Sequence, residues 1–126
     1  MMDSIPFSVM YYDKEYNHYT AKGIMIFEKD VLSIEVRSYG YMGEAVSGIS
    51  TCKIPIDQMR DIRFKNRFFY GLVTLETKSL KLLEDMPGSS HGVVKCSVER
   101  KHRRTAAQFC SKVGLRLSEF RLENME

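Results

Sequence analysis

The sequence predicts a mainly β, α+β fold of about seven antiparallel strands capped by one C-terminal α-helix. Three observations carry that reading. Between Val93 and Glu99, Val94, Cys96 and Val98 alternate with Lys95, Ser97 and Glu99, the two-residue period of a strand with one face buried. Directly after it, Ala106, Phe109, Val113, Leu117 and Phe120 recur at three- and four-residue spacing and form one apolar helical stripe. Everything upstream reads as short strands joined by close turns, so the stripe has only a sheet to cover.

The elements follow in order along one domain spanning 1–126. Residues 1–18 read either as an extra strand or as an arm: Ile5, Phe7, Val9 and Tyr11 alternate, but Pro6 suits only an edge. Residues 19–99 hold the antiparallel strands. Gly23 to Phe27 is an apolar run, Glu28-Lys29-Asp30 makes a tight turn, and Leu32, Ile34 and Val36 alternate with polar neighbours. Ser38 to Gly48, with three glycines and the tyrosines Tyr39 and Tyr41, has loop composition. Cys52, Ile54 and Ile56 resume the alternation, with Pro55 marking an edge strand or a strand end. Ile62 and Phe64 form the next strand, Asn66-Arg67 breaks it, and Phe69 to Thr77 followed by Leu80 to Leu83 reads as a hairpin about Lys78-Ser79. Pro87 to Gly92 is a loop, and the capping helix is expected over 101–120.

A chain of 126 residues can bury roughly two-thirds of its unfolded surface, enough for one core. The opening residues mix Pro6, Asp13, Lys14 and Glu15 among hydrophobics, unlike a secretion signal, and no run is long enough to span a membrane, so cytoplasmic residence is expected. Cys52, Cys96 and Cys110 are odd in number and widely spaced, which predicts reduced thiols. With no CxxC pair and with His18, His91 and His102 scattered, no metal and no cofactor are expected. Charge is uneven. Residues 1–63 carry seven Lys/Arg against nine Asp/Glu, and residues 64–126 carry twelve against seven, which permits an anionic partner for the second half.

The order of elements resembles the pleckstrin-homology-like (PH- and GRAM-like) domains over roughly residues 20–120. The resemblance is carried by the glycine-led strand Lys22-Gly23-Ile24-Met25-Ile26, by Lys53-Ile54-Pro55-Ile56-Asp57-Gln58-Met59, by the Leu72-to-Leu83 segment, and by Cys96-Ser97-Val98-Glu99-Arg100 running into the helix. It implies a partly open barrel plugged at one end by the helix, serving as a recognition fold. PH-type helices usually carry a tryptophan in the barrel end; this chain has none, and Phe109 stands for it. Phosphoinositide-binding members place an alternating basic pair on the second strand, where this chain has Glu35 and Arg37.

Two basic clusters are the candidate sites. Arg100, Lys101, His102, Arg103 and Arg104 sit where strand hands over to helix, and cations there oppose the helix dipole unless an anion answers them. The alternative is a helix that begins at the Thr105-Ala106-Ala107-Gln108 capping pattern, leaving these side chains in a solvated turn. The second set, Arg63, Lys65, Arg67 and Phe68, interleaves cations with aromatics, as single-strand nucleic-acid surfaces do. Asp57 and Asp61 dilute that charge and no RNA-binding signature accompanies it, which disfavours nucleic acid. Ser89-Ser90-His91 sets a hydroxyl beside an imidazole without a third group, so no catalytic residue is assigned and no enzyme is expected.

The functional expectation is a non-catalytic recognition module that binds a protein or peptide partner by a sheet edge or loops. An anionic lipid head group, phosphate or membrane surface held by the basic turns is the alternative, and a small enzyme without a recognisable motif is the third reading. A homo-oligomer formed through the edge strand bearing Pro55 is a further expectation.

Overall fold

A computed structural model describes residues 3–125; Met1, Met2 and Glu126, which the one-domain expectation includes, lie outside the described residues. Seven strands form one antiparallel sheet. They are β1 (Asp3–Tyr12), β2 (His18–Glu28), β3 (Val31–Tyr39), β4 (Ser50–Pro55), β5 (Met59–Asn66), β6 (Tyr70–Thr77) and β7 (Val93–Glu99), followed by the helix α1 (Arg103–Glu123). The spatial order is β4-β3-β2-β1-β7-β6-β5. Its two outer strands, β4 and β5, do not pair, so the sheet curls without closing, consistent with a PH-like open barrel capped by a helix.

Alternation builds the core. Ile5, Phe7 and Val9 of β1, Leu32, Ile34 and Val36 of β3, Val73 and Leu75 of β6, and Val94, Cys96 and Val98 of β7 all point inward and are buried. The helix adds Ala106, Phe109, Cys110, Val113 and Leu117, with Phe120 half-buried at the margin. The stripe expected from sequence is therefore the face that covers the sheet. Phe109 is buried in the core cluster, in a chain without tryptophan.

The structure resolves the open choice at the N-terminus and corrects three expectations, on Pro6, on Leu80–Leu83 and on the bounds of the helix. Residues 3–12 are a strand and not an arm, and despite Pro6 that strand lies within the sheet order. It tolerates proline because its ladder to β7 is reduced to one pair, Ser8 with Ser97, so β1 behaves locally as an edge on that side. Leu80–Leu83 is a turn of 3-10 helix and not a strand. Ser79 nucleates it by accepting a hydrogen bond from the Lys81 N–H, and β6 pairs with β5 on one side and β7 on the other, so that the seventh strand is β1. The helix starts at Arg103 and runs to Glu123, not 101–120, with Arg100–His102 forming a separate 3-10 turn before it. The Thr105 capping pattern is accordingly interior to the helix.

The tight turn at Glu28-Lys29-Asp30 is present, and its two central residues, Lys29 and Asp30, both adopt left-handed backbone (φ 52° and 60°). Pro55 ends β4, an edge strand as its position suggested. The three cysteines are free, with Cys96 and Cys110 buried and Cys52 half-buried.

Candidate functional site: a cationic face around Phe64

The chain brings the two predicted basic clusters together. Arg103, on the first turn of α1, donates through Nη1 to the backbone carbonyl of Arg67 at 2.8 Å, across 36 positions of sequence. Its alkyl stem lies against Gly71 of β6, and so does the ring of Phe64 from β5. A Cβ added at position 71 would stand 2.6 Å from that ring and 3.2 Å from the Arg103 stem. Glycine there is what lets an aromatic ring and an arginine share one patch of strand.

Phe64 lines two open grooves. On its helix side are Asn66, Arg100, Arg103, Arg104 and Ala107. On the outer face of the sheet are Arg63, Lys65, Arg67, Leu72, Thr74 and Lys95. Strand register explains the second group: Arg63 lies opposite Thr74, which lies opposite Lys95, so three adjacent strands present one row. Phe68 and its neighbour Phe69 stand at the tip of the β5–β6 connection.

Compensation is partial. Arg63 is held by Asp61 at 2.8 Å and Lys101 approaches Glu99 at 3.6 Å. Among the described residues, no carboxylate pairs with Arg100, Arg104, Lys65, Arg67 or Lys95. The helix end beside them has no side-chain cap and no acidic residue in its first turn, so the positive end of the helix dipole adds its potential to the same place.

The 3-10 turn also divides the first cluster. Arg100, Arg103 and Arg104 face Phe64, whereas Lys101 and His102 line a different cleft with Ser8, Ser97 and Lys22, at the place where β1 and β7 have nearly parted. The five residues predicted as one site therefore serve two surfaces. Of the second predicted set, Arg63, Lys65 and Arg67 line the merged face and Phe68 projects beyond it. Sequence reasoning placed Phe64 among the aromatics of the second set but missed Lys95. Lys95 alternates outward on its strand, and only the strand order shows which cations lie beside it.

Elsewhere, the Ser90 hydroxyl and His91 Nδ1 stand 2.9 Å apart, within hydrogen-bond distance. Both residues are exposed, and among the described residues no acidic group orients the imidazole. That pair lies in the loop between β6 and β7, outside the basic face. No family model matches this chain, and neither a curated protein nor a solved structure matches it, so the meaning of the face has to be drawn from its own geometry and charge.

Proposed function

We propose that this chain is a non-catalytic, pleckstrin-homology-like recognition module that engages an anionic partner through the cationic face around Phe64. One observation carries the reading: the Arg103-to-Arg67 hydrogen bond joins two distant basic clusters into a surface whose outer cations lack carboxylate partners among the described residues. Cations gathered at an uncapped helix end repel one another and the helix dipole, and a bound anion relieves both. Free cysteines support a reducing compartment such as the cytoplasm for this module.

Titration with a soluble polyanion, inositol hexakisphosphate, followed by backbone amide shifts, tests it. The amides of Arg67, Gly71 and Arg100 through Arg104 are expected to move together, and Arg100→Glu with Arg104→Glu to suppress the movement. Shifts confined to the loop between β3 and β4 would overturn the assignment.

The peptide-binding reading has its own support at the opposite edge. Among the described residues one side of β4 has no strand partner, and Tyr41, Met42 and Ile49 in the connection leading to it are 82%, 78% and 71% exposed. An extended peptide, or β4 of a second copy, would add there through main-chain hydrogen bonds. Binding of that kind would survive reversal of Arg100 and Arg104 and would be lost on Tyr41→Ala with Met42→Ala.

A further inference from the structure

The connection between β5 and β6 is short, with three residues between Asn66 and Tyr70. The Arg67 N–H donates to the Tyr70 carbonyl at 2.8 Å, leaving Phe68 and Phe69 alone at the apex. The favoured two-residue turns are built on positive φ and hence on Asn, Asp and Gly, whereas neither Phe68 nor Phe69 adopts positive φ. The two rings pack edge-to-face on each other, centroids 4.6 Å apart, while 83% and 72% of the residues' surfaces stay in water. Neither belongs to the core cluster. Folding does not account for them, and a departure from local rules at a well-held position points to use.

The position is well held. Arg103 fixes the Arg67 carbonyl, and Phe64 lies across Gly71 just inside the turn, so the tip is a braced wedge. Cations flank its base on both sides, Lys65 and Arg67 on the sheet and Arg100 and Arg104 at the helix end, with Tyr70 directly opposite Glu99 in the register that leads to them. A soluble acidic ligand would use the cations and leave the rings wet. A bilayer uses both, because aromatic rings lodge at the boundary of head groups and acyl chains while Lys and Arg lie at the level of anionic head groups.

We propose that the Phe68-Phe69 tip, with Lys65, Arg67, Arg100 and Arg104 around it, docks this chain onto an anionic lipid bilayer with both rings inserted. The proposal deepens the anionic-partner reading of the same face and rests on it.

The absence of tryptophan supplies the test. Phe68→Trp places a single indole at the tip, and its emission is measured with vesicles of mixed phosphatidylserine and phosphatidylcholine and with phosphatidylcholine alone. A blue shift, with quenching by brominated acyl chains, is expected only on the mixed vesicles. Phe68→Ser with Phe69→Ser should weaken sedimentation with mixed vesicles by on the order of tenfold per ring and leave inositol hexakisphosphate binding intact. Arg100→Glu with Arg104→Glu should abolish both. Unshifted indole emission, or unchanged vesicle affinity in the double serine variant, overturns insertion while the polyanion titration still stands for the broader reading. Blue-shifted emission with polyglutamate but not with vesicles overturns the membrane as occupant in favour of an acidic protein. Failure of the polyanion titration as well removes both.

Discussion

The guanidinium of Arg116 grips both carboxylate oxygens of Asp30, at 2.8 and 2.9 Å, across 86 positions of sequence. Asp30 is at the β2–β3 turn and Arg116 is in the second half of α1, so the pair fastens the helix to the far hairpin while Arg103 fastens its beginning to the carbonyl of Arg67. Arg121 adds a third strap to the carbonyl of Arg60. The helix is thus tied to the sheet by arginines along its whole length, over an apolar stripe that supplies the burial.

Asp30→Asn tests the central strap without disturbing the turn, because asparagine also accepts the left-handed backbone that position 30 requires. Hydrogen bonding from Arg116 holds the Asp30 carboxyl below its ordinary value of 3.8. A depressed carboxyl contributes stability that is present above the unfolded value and lost as pH falls through the folded one. The substitution is therefore expected to lower Tm by a few degrees at neutral pH, with the difference shrinking below about pH 4. Thermal melts of both proteins across that range check the sign; a difference that grows in acid would contradict it.

Three glycines should rank in a fixed order when replaced by alanine. At Gly23 a Cβ would fall 2.0 Å from the Glu35 carbonyl oxygen on the paired strand, and backbone cannot give way without opening the β2–β3 ladder. Its loss is expected to exceed about 3 kcal/mol, beyond the usual cost of overpacking. At Gly71 the neighbours are the Phe64 ring and the Arg103 stem, which can shift, so about 1–2 kcal/mol is expected together with a displaced Phe64. Gly48 meets nothing within 4 Å, and alanine there should be neutral or slightly stabilising. Denaturant midpoints measured in parallel give the ranking.

How much of this was legible depends on the range over which each signal acts. The helical stripe from Ala106 to Leu117 was legible because 21 residues hold several full turns of one period. Leu80 to Leu83 was not, since four apolar-rich residues fit a strand or a helical turn equally, and the side-chain bond from Ser79 decided it. Pro6 misled because the rule against proline in inner strands assumes full ladders on both sides, and β1 has a single pair with β7. Both basic clusters were visible as composition. Their union was not, because it depends on Arg67 meeting Arg103 through tertiary packing, and the same packing sent Lys101 and His102 to another cleft.

Thiol chemistry separates Cys52 from the other two cysteines. Burial raises all three thiols, Cys110 to about 12 and Cys96 further still. In the folded chain a maleimide should react with half-buried Cys52 alone, slowly because its thiol also donates to the Leu82 carbonyl at 2.8 Å. Cys96 and Cys110 should label only on unfolding. A raised thiol keeps its proton in the folded chain while the unfolded chain loses it near 9, so stability is expected to fall as pH rises above that value. Cys110→Ala should remove part of that alkaline loss. Labelling followed by mass spectrometry, and melts above pH 9, read the two effects separately.

Arg103 and Arg104 are adjacent and both cationic, yet reversing each should give opposite signs in stability. Arg104 is exposed, has no partner among the described residues, and stands in the first helical turn, where a carboxylate is favoured by the dipole. Arg104→Glu is expected to stabilise the fold by about 0.5 kcal/mol and to weaken polyanion binding. Arg103→Glu forfeits the bond to the Arg67 carbonyl and sets a carboxylate against it, so it should lower stability by about 1–2 kcal/mol and weaken binding as well. The proposed anionic ligand would account for a face that stays cationic at some cost in helix stability. If Arg104→Glu left polyanion binding untouched while raising Tm, the cations at the helix end would have no ligand to answer, and the unpaired charge would be a solvated surface after all.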